Sequence, residues 1–341
     1  MKEKNQFIQL VRGLCIIAVV LIHILFFSEN NHFINHFNIS IRTVINFCVA
    51  IFVFISGYLN NTEKIENNPR QYLIKRLKRL YIPFIVYSIL YSVINNNISF
   101  VTAREAIKSI FKILLGTSSA QLYYIIILLE LTFITPFLIK IINRERKYEH
   151  YICLSITPIY LLINLLFNLV FDKAIPRNSF LPFGWFIYYY LGLYANINNY
   201  KIKLNRQKQL FVALIILLII NVVTNNFEYK FINYSYVTSQ IKLTNMFYVI
   251  LILLNTNNFK NILKSSNIIR KILIKLGNES FGIYFIHIFV LKITTKILEL
   301  ISLNYFIYVL VQIVSNLIIS YFIIKILKKV ANEKIQTILG I

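Results

Sequence analysis

Residues 7–27 are the first long apolar run of the chain and read FIQLVRGLCIIAVVLIHILFF. The run contains two basic side chains, Arg12 and His23, and no Asp or Glu. A bilayer core about 30 Å thick requires about 20 apolar residues in a helix, so the run predicts a membrane-spanning helix. Lys2 and Lys4 precede it, as they would in a signal sequence. Because the run is long and no small-x-small cleavage site follows it, we predict a retained first helix.

Similar runs continue along the chain, which is 57% hydrophobic and only 14% charged. A soluble domain holds about 45–50% apolar and about 25% charged residues, so the surplus must face lipid. Runs of spanning length occur at 7–27, 43–60, 81–99, 120–141, 151–171, 182–198, 209–225, 241–256, 280–300 and 304–325. The stretch 101–116 has a helical pattern but is too short and polar to span, and we expect it on the surface. The fold class predicted is an all-α integral membrane protein, one domain (1–341) forming a single bundle of about ten transmembrane helices.

The 36 Lys and Arg residues test this topology independently of hydropathy. With the N-terminus in the cytoplasm, the inner segments hold 25 of them, the outer segments hold 8, and Arg12, Lys292 and Lys296 lie within spans. This bias is the one that the positive-inside rule requires, so both termini are predicted to be cytoplasmic. The net charge of +23 is spread in short clusters between apolar runs. No basic surface for nucleic acid is therefore expected.

Arg12 and His23 are the first candidates for chemistry, because ionisable groups inside a membrane are costly and commonly functional. They are eleven residues apart, about three full helical turns, so they share one face and lie about 16 Å apart along the axis. In the structural interpretation, Arg12 reaches the inner headgroups and His23 satisfies a neighbouring carbonyl. In the functional interpretation, the pair does chemistry.

Other polar groups within spans are weaker candidates. Glu130 is either the partner of a buried cation or a protonated structural carboxyl. His287 lies one turn from Tyr284 and would by itself be assigned a structural role. His32 and His36 have i, i+4 spacing but fall in a predicted outer loop without a matching carboxylate. We therefore expect no metal site.

The strongest basic cluster lies in the inner segment 61–80, just before Pro83. It comprises Arg70, Lys75, Arg76, Lys78 and Arg79. These cations are typical of topogenic charge that also attracts anionic lipid. They would equally suit a clamp on the phosphates of a cytoplasmic cofactor. The two interpretations are compatible.

Five blocks, in order, resemble the acyltransferase family 3 membrane proteins. They are VRGL at 11–14 followed by His23, FVFISGYL at 52–59, RLKR at 76–79 before Pro83, LYYI at 122–125 followed by Thr-Pro at 135–136, and GNESFGIYFIH at 277–287. The chain departs from the family at Tyr123, where Trp is usual, and at Ala50, where many members carry an acidic residue or Pro. The segment 183–192, FGWFIYYYLG, resembles the branch of the staphylococcal intercellular-adhesion, poly-N-acetylglucosamine export protein.

The resemblance implies an enzyme of the bacterial plasma membrane that moves an acetyl or succinyl group from cytoplasmic acyl-CoA to a hydroxyl of an envelope polysaccharide. It implies His23 as general base or acyl carrier, with Arg12 orienting the thioester or stabilising negative charge. It implies Arg76 and Arg79 at the CoA phosphates. The pocket candidates are Ser56, Glu130, Tyr284 and His287. Membrane lipids, the glycan acceptor and glycan-synthesis machinery are the expected partners.

An exporter or flippase of a surface polysaccharide is the alternative function. Inward-facing Arg, His and Glu side chains would also suit a proton-coupled transporter. The branch that segment 183–192 resembles has been described both as an exporter and as a glycan O-acyltransferase. Against export, the sequence contains no evident inverted repeat or pair of Gly/Pro-broken helices, features of many transporters.

Overall fold

The computed structural model describes residues 2–29, 31–96, 98, 102–198, 207–256, 258–259 and 267–341. Within these residues all regular structure is helical, as the sequence predicts. The helices are α1 (Lys2–Ile24), α2 (His32–Ile45), α3 (Cys48–Tyr58), α4 (Thr62–Asn67), α5 (Pro69–Ile94), α6 (Ala103–Leu114), α7 (Tyr123–Asn143), α8 (Lys147–Phe171), α9 (Phe186–Ile197), α10 (Gln207–Glu228), α11 (Tyr234–Val237), α12 (Leu243–Leu254), α13 (Asn267–Asn278), α14 (Ser280–Leu298), α15 (Tyr305–Val330) and α16 (Glu333–Leu339). Short 3-10 turns precede α7 and α9.

Eight helical segments in the described residues are long and apolar enough to cross a membrane. They are α1, α2 with α3, α5, the α7 segment, α8, α10, α14 and α15. Each corresponds to one of the ten predicted runs. The other two runs, 182–198 and 241–256, contain α9 and α12, which have 12 residues each. The prediction of a multi-pass helical protein is therefore confirmed, with two helices too short to span alone.

One predicted boundary is wrong by more than a turn. The sequence placed His32, His36 and Arg42 in an outer loop, whereas the helical segment His32–Tyr58 contains all three. Asn31 caps this helix by accepting a hydrogen bond from the amide of Ile34, at 3.0 Å. Hydropathy missed the first part of this helical segment because its polar side chains are paired inside the protein. For example, buried Asn38 donates to the carbonyl of Phe26 at 2.8 Å.

The chain divides into two compact units. The first comprises Met1–Asn60 and Arg144–Asn278, and the second Asn61–Asn143 and Glu279–Ile341. In the first unit, α1 packs against α13 and α3, α3 packs against α9, and α10 packs against α2 and α12. In the second unit, α5 packs against α6, α7 and α16, and α14 packs against α15.

Glycines bring α1 and α13 into backbone contact in the first unit. A Cβ on Gly13 would lie 2.0 Å from the carbonyl oxygen of Leu273, and one on Gly277 would lie 1.8 Å from that of Gln9. The two contacts are reciprocal and run antiparallel, with each glycine facing the backbone of the partner helix. Without water to drive association, close packing of this kind is what holds membrane helices together.

The pair α3 and α9 repeats this arrangement. A Cβ on Gly57 would lie 2.3 Å from the carbonyl oxygen of Tyr189, and one on Gly192 would lie 2.2 Å from that of Phe54. Gly57 directly follows the candidate residue Ser56. Both glycines therefore have a packing function: Gly57 in the block 52–59 and Gly192 in the segment 183–192.

Candidate active site

Arg12 and His23 lie on one uninterrupted helix, so the register expected from the sequence is preserved. Both side chains are half-buried in α1, and the guanidinium Nη1 of Arg12 donates to Oε1 of Gln9 at 3.4 Å. His23 occupies the last turn of α1, eleven residues beyond Arg12. The helix thus places a cation and an imidazole on one face, about 16 Å apart.

The helix end that carries His23 is closed by Arg42 of α2. Nη1 of Arg42 donates to the carbonyl of Ile22 at 2.9 Å, while its Nε and Nη2 lie 3.4 Å from the carbonyl of Thr238. The last carbonyls of a helix lack intrahelical donors, and a cation at this end also complements the helix dipole. Arg42 therefore joins the backbone next to His23 to the segment after α11.

A buried ion pair lies in the same unit and was not predicted. Nζ of Lys242 contacts Oε2 of Glu228 and Oδ1 of Asn225, each at 2.5 Å, and lies 5.1 Å from the ring centroid of Tyr236. The amide nitrogen of Asn225 donates in turn to the hydroxyl of Thr43 at 2.8 Å. Lys242 directly precedes α12 and is only 4% exposed, although the sequence gave no sign that it would be buried.

In the second unit, His287 and Tyr284 are anchored in the core on α14. Nδ1 of His287 lies 2.7 Å from the carbonyl oxygen of Tyr284. A carbonyl oxygen only accepts, so Nδ1 of His287 is the donor of this hydrogen bond. The Tyr284 hydroxyl donates to the carbonyl of Gln121. Both residues are buried, and the backbone carbonyl of His287 accepts from Asn316 at 2.9 Å.

Arg76, Arg79 and Glu130 also belong to the second unit. Arg76 is half-buried on α5, with its guanidinium carbon 6.0 Å from the ring centroid of Tyr72, and Arg79 is exposed. Glu130 is half-buried on α7, where its Oε2 has no hydrogen-bond partner among the described residues. The same residues offer Glu130 no ion pair, so the cation that the sequence suggested for it is not found there.

Comparison with known protein families assigns this helical chain to one of them. The profile of the acyltransferase-domain family, acyltransferase family 3, matches residues 5–325. The chain belongs to this family. No curated protein and no solved structure matches it. As a member of acyltransferase family 3 with eight candidate spans, it is a multi-pass membrane acyltransferase.

The two units divide the candidate residues of this family member between them. Arg12, His23 and Ser56 lie in the first unit, where α1 packs against α3. Ser56 is half-buried, and its backbone carbonyl accepts from the side chain of Asn60 at 3.0 Å. The remaining candidates lie in the second unit: Arg76, Arg79, Glu130, Tyr284 and His287.

His32 and His36 do not form a shared site. His32 is exposed, while Nδ1 of His36 pairs with Oδ1 of Asn226 at 2.7 Å. Nowhere in the described part of the chain do three or more His, Cys, Asp or Glu side chains meet in a way that could hold a metal ion.

Sequence reasoning missed Arg42 and the Lys242–Glu228 pair in this acyltransferase. A signal for Arg42 was present: Asn31 is a good N-cap, and Ile34, Phe37, Ile41 and Val44 follow it with helical spacing. No comparable signal existed for Lys242 and Glu228, which are 14 residues apart on different elements.

Proposed function

We propose that this protein is a membrane O-acyltransferase that moves an acetyl or succinyl group from cytoplasmic acyl-CoA to a hydroxyl of a cell-envelope polysaccharide. Family membership over residues 5–325 supports acyl transfer in general. The observation that carries the finer proposal is the half-buried Arg12–His23 face of α1, which offers a base and a cation along one membrane-spanning helix. The whole chain acts as one catalytic domain.

His23 serves the reaction as general base or as transient acyl carrier. As a base, its imidazole takes the proton of the acceptor hydroxyl while the hydroxyl oxygen attacks the thioester carbonyl. The carbon–sulfur bond then breaks, and the proton passes to the departing CoA thiolate. As a carrier, the imidazole first forms an acyl-imidazole and releases CoA, and the acceptor oxygen then takes the acyl group. Both sequences give an ester and a free thiol.

Arg12 has one of two roles in this proposal. It orients the thioester or the pantetheine arm of the donor, or it stabilises the negative charge that develops on the thioester carbonyl oxygen during attack. It lies a few turns before His23, on the side from which the proposed donor arrives.

Arg76 and Arg79 bind the phosphates of the donor. They are three residues apart on α5 and therefore project from neighbouring positions on the helix. A guanidinium binds phosphate oxygens with two parallel hydrogen bonds, which a lysine cannot do. Ser56, Tyr284, His287 and Glu130 complete the substrate pocket in this proposal. No metal takes part.

The topology proposed for this reaction has ten crossings and cytoplasmic termini in a bacterial plasma membrane. α9 and α12 supply the two crossings beyond the eight long segments, each reaching about 18 Å as helix and completed by flanking chain. The protein works among membrane lipids, beside glycan-synthesis machinery that provides the acceptor. The resemblance of segment 183–192 favours an acceptor of the poly-N-acetylglucosamine type.

The test compares three strains that express the wild type, His23→Gln or His32→Gln. His32 is an exposed histidine of α2, so its substitution controls for the loss of an imidazole as such. Alkali-labile acetyl and succinyl groups are measured on isolated surface glycan. We expect the His23→Gln strain to lose them and the His32→Gln strain to retain them.

Two outcomes would overturn the proposal. Normal ester content in the His23→Gln strain, at equal protein level, would remove His23 from the chemistry. If deletion of the protein abolishes surface polymer while the remaining cell-associated glycan keeps its normal acyl content, the protein is an exporter.

A further inference from the structure

Helix α6 is sharply bounded and too short to cross a bilayer. Thr102 caps its start by accepting from the amide of Glu105 at 3.3 Å, with the T-x-x-E spacing of a capping box. Its end is closed by Gly116, whose φ of +63° is the left-handed conformation that favours glycine, and by the Thr117 amide donating to the carbonyl of Lys112. Twelve residues span about 18 Å, well short of a bilayer core.

The side chains of α6 form three separate faces. The anchoring face, Ala106, Ser109 and Ile113, is buried or half-buried. The apolar face is exposed, with Phe111 58% and Ile107 55% accessible, and comprises Ile107, Ile110, Phe111 and Leu114. The basic face is also exposed and comprises Arg104, Lys108 and Lys112. At 100° per residue these faces point roughly a third of a turn apart.

The anchoring face places α6 at the level where α5 ends. The hydroxyl of Ser88 donates to the carbonyl of Ile113 at 2.7 Å, and the side chain of Asn95 donates to the carbonyl of Ser118 at 2.7 Å. Asn95 directly follows the candidate membrane span Pro69–Ile94. The last turn of that span carries an exposed Val93. α6 is therefore held near the end of this apolar helix, where an apolar side chain is exposed.

We propose that α6 lies along the bilayer surface and forms a binding site for anionic phospholipid headgroups. The apolar face inserts among the upper acyl chains, and the basic face contacts lipid phosphates. A helix with one apolar and one basic exposed face is typical of this location. Lys and Arg side chains near an anionic membrane surface are attracted to it. Glu105 is the single acidic residue of α6, so the three cations of the basic face outnumber the acidic side chains by two.

Spin labels test the depth of the helix. A nitroxide is attached to Ile107→Cys, Phe111→Cys or Lys108→Cys in reconstituted full-length protein. The native cysteines Cys15, Cys48 and Cys153 are buried, and the parent protein measures any label they take up. We expect labels at 107 and 111 to collide mainly with oxygen, which concentrates in acyl chains. The label at 108 should collide mainly with a water-soluble nickel chelate.

If the labels at 107 and 108 collide equally often with the nickel chelate, α6 lies in water. If the labels at 107, 108 and 111 all collide mainly with oxygen, α6 lies in hydrocarbon. Either result overturns the proposal.

Lipid-borne quenchers test the headgroup preference. A fluorophore on Ile107→Cys is quenched by doxyl-labelled phosphatidylglycerol or phosphatidylcholine in otherwise identical vesicles. We expect about threefold stronger quenching by the anionic lipid at low salt and nearly equal quenching by the two lipids at high salt.

Variants identify the residues responsible for this preference. It should be abolished in the triple variant Arg104→Gln/Lys108→Gln/Lys112→Gln. The control Arg70→Gln/Lys75→Gln/Lys78→Gln removes the same charges from exposed positions of α5 and should preserve it. Equal quenching by both lipids in the wild type would overturn the proposal, whether or not the protein transfers acyl groups.

Discussion

At the scale of single residues, the sequence identified Arg12 and His23 as candidates but not the residues that contact them. Arg12 and His23 follow from helical spacing alone, and the structure keeps them on one helix. Arg42 could not be assigned to His23 from spacing, because the contact joins the carbonyl of Ile22 to a residue 20 positions away on another helix. The partners of a polar group in a membrane are set by tertiary packing, which a single sequence does not display.

Arg42 should position His23 for the reaction. Arg42→Gln removes the donor to the Ile22 carbonyl, so the last turn of α1 and the imidazole it carries become less well fixed. We expect kcat for acyl transfer to fall about tenfold, since small misplacements of catalytic groups are costly. The KM for acyl-CoA should change little, and Arg42→Lys should restore part of kcat. Arg177→Gln, at an exposed arginine between α8 and α9, serves as the control. A lower melting temperature with unchanged kcat would show that Arg42 only stabilises the fold.

Glu279 should make the stability of the protein depend on pH in the acid range. Burial alone would raise the pKa of Glu279, but ion pairs with Lys328 at 2.6 Å and Lys325 at 3.0 Å outweigh it and hold the pKa below its ordinary value. A carboxyl whose pKa is lower in the folded state stabilises the fold above the unfolded pKa, and this stabilisation is lost as pH falls through the folded pKa. Both lysines are partly exposed, so the pairs contribute only about 1 kcal/mol.

Thermal unfolding in detergent measures this dependence. At neutral pH, Glu279→Gln should melt below the wild type, and the difference should vanish as the pH falls well below 4.5. Glu333→Gln, at an exposed carboxylate of α16, should follow the wild type throughout. A gap between Glu279→Gln and the wild type that persists at acid pH would contradict the assignment.

At the scale of elements, hydropathy located every long helix but misjudged several lengths. α5 begins at Pro69, twelve residues before the predicted span, because the basic segment continues the helix beyond the apolar run. α9 starts only at Phe186, since Pro182 and Gly184 in the preceding 3-10 turn delay it. The sequence shows the glycine-containing blocks of α3 and α9, but it does not show that their glycines contact each other's helix. The length of an apolar run indicates which residues can lie in lipid, whereas the ends of a helix depend on capping and on tertiary packing.

Binding of acyl-CoA should depend on the two arginines near the start of α5 and not on the neighbouring lysines. Arg76→Gln/Arg79→Gln removes the proposed phosphate clamp and should raise the KM for acyl-CoA about tenfold or more with little effect on kcat. Lys75→Gln/Lys78→Gln removes the same charge at the same spacing on exposed positions of the same helix. We expect this control to change KM less than twofold. Equal effects of the two pairs would show general electrostatic attraction in place of a clamp.

At the scale of the whole molecule, composition and charge alternation predicted a multi-pass helical protein, and family membership identifies it as an acyltransferase. Of the candidate residues, Arg12 and His23 lie in one compact unit and Arg76 and Arg79 lie in the other. A single sequence could not predict this division, because it interleaves distant segments of the chain. The proposed reaction has its donor on one side of the membrane and its acceptor on the other.

Transfer across a sealed bilayer tests this account most directly. Purified protein is reconstituted in sealed vesicles, and the vesicles are sorted by the orientation of the protein. Radiolabelled acyl-CoA is then supplied on the side of the N-terminus, and glycan acceptor is supplied on the opposite side. We predict ester-linked label on the glycan with the wild type and with His32→Gln, and none with His23→Gln. Label that appears only when donor and acceptor share one side, or that His23→Gln incorporates at the wild-type rate, would contradict the account.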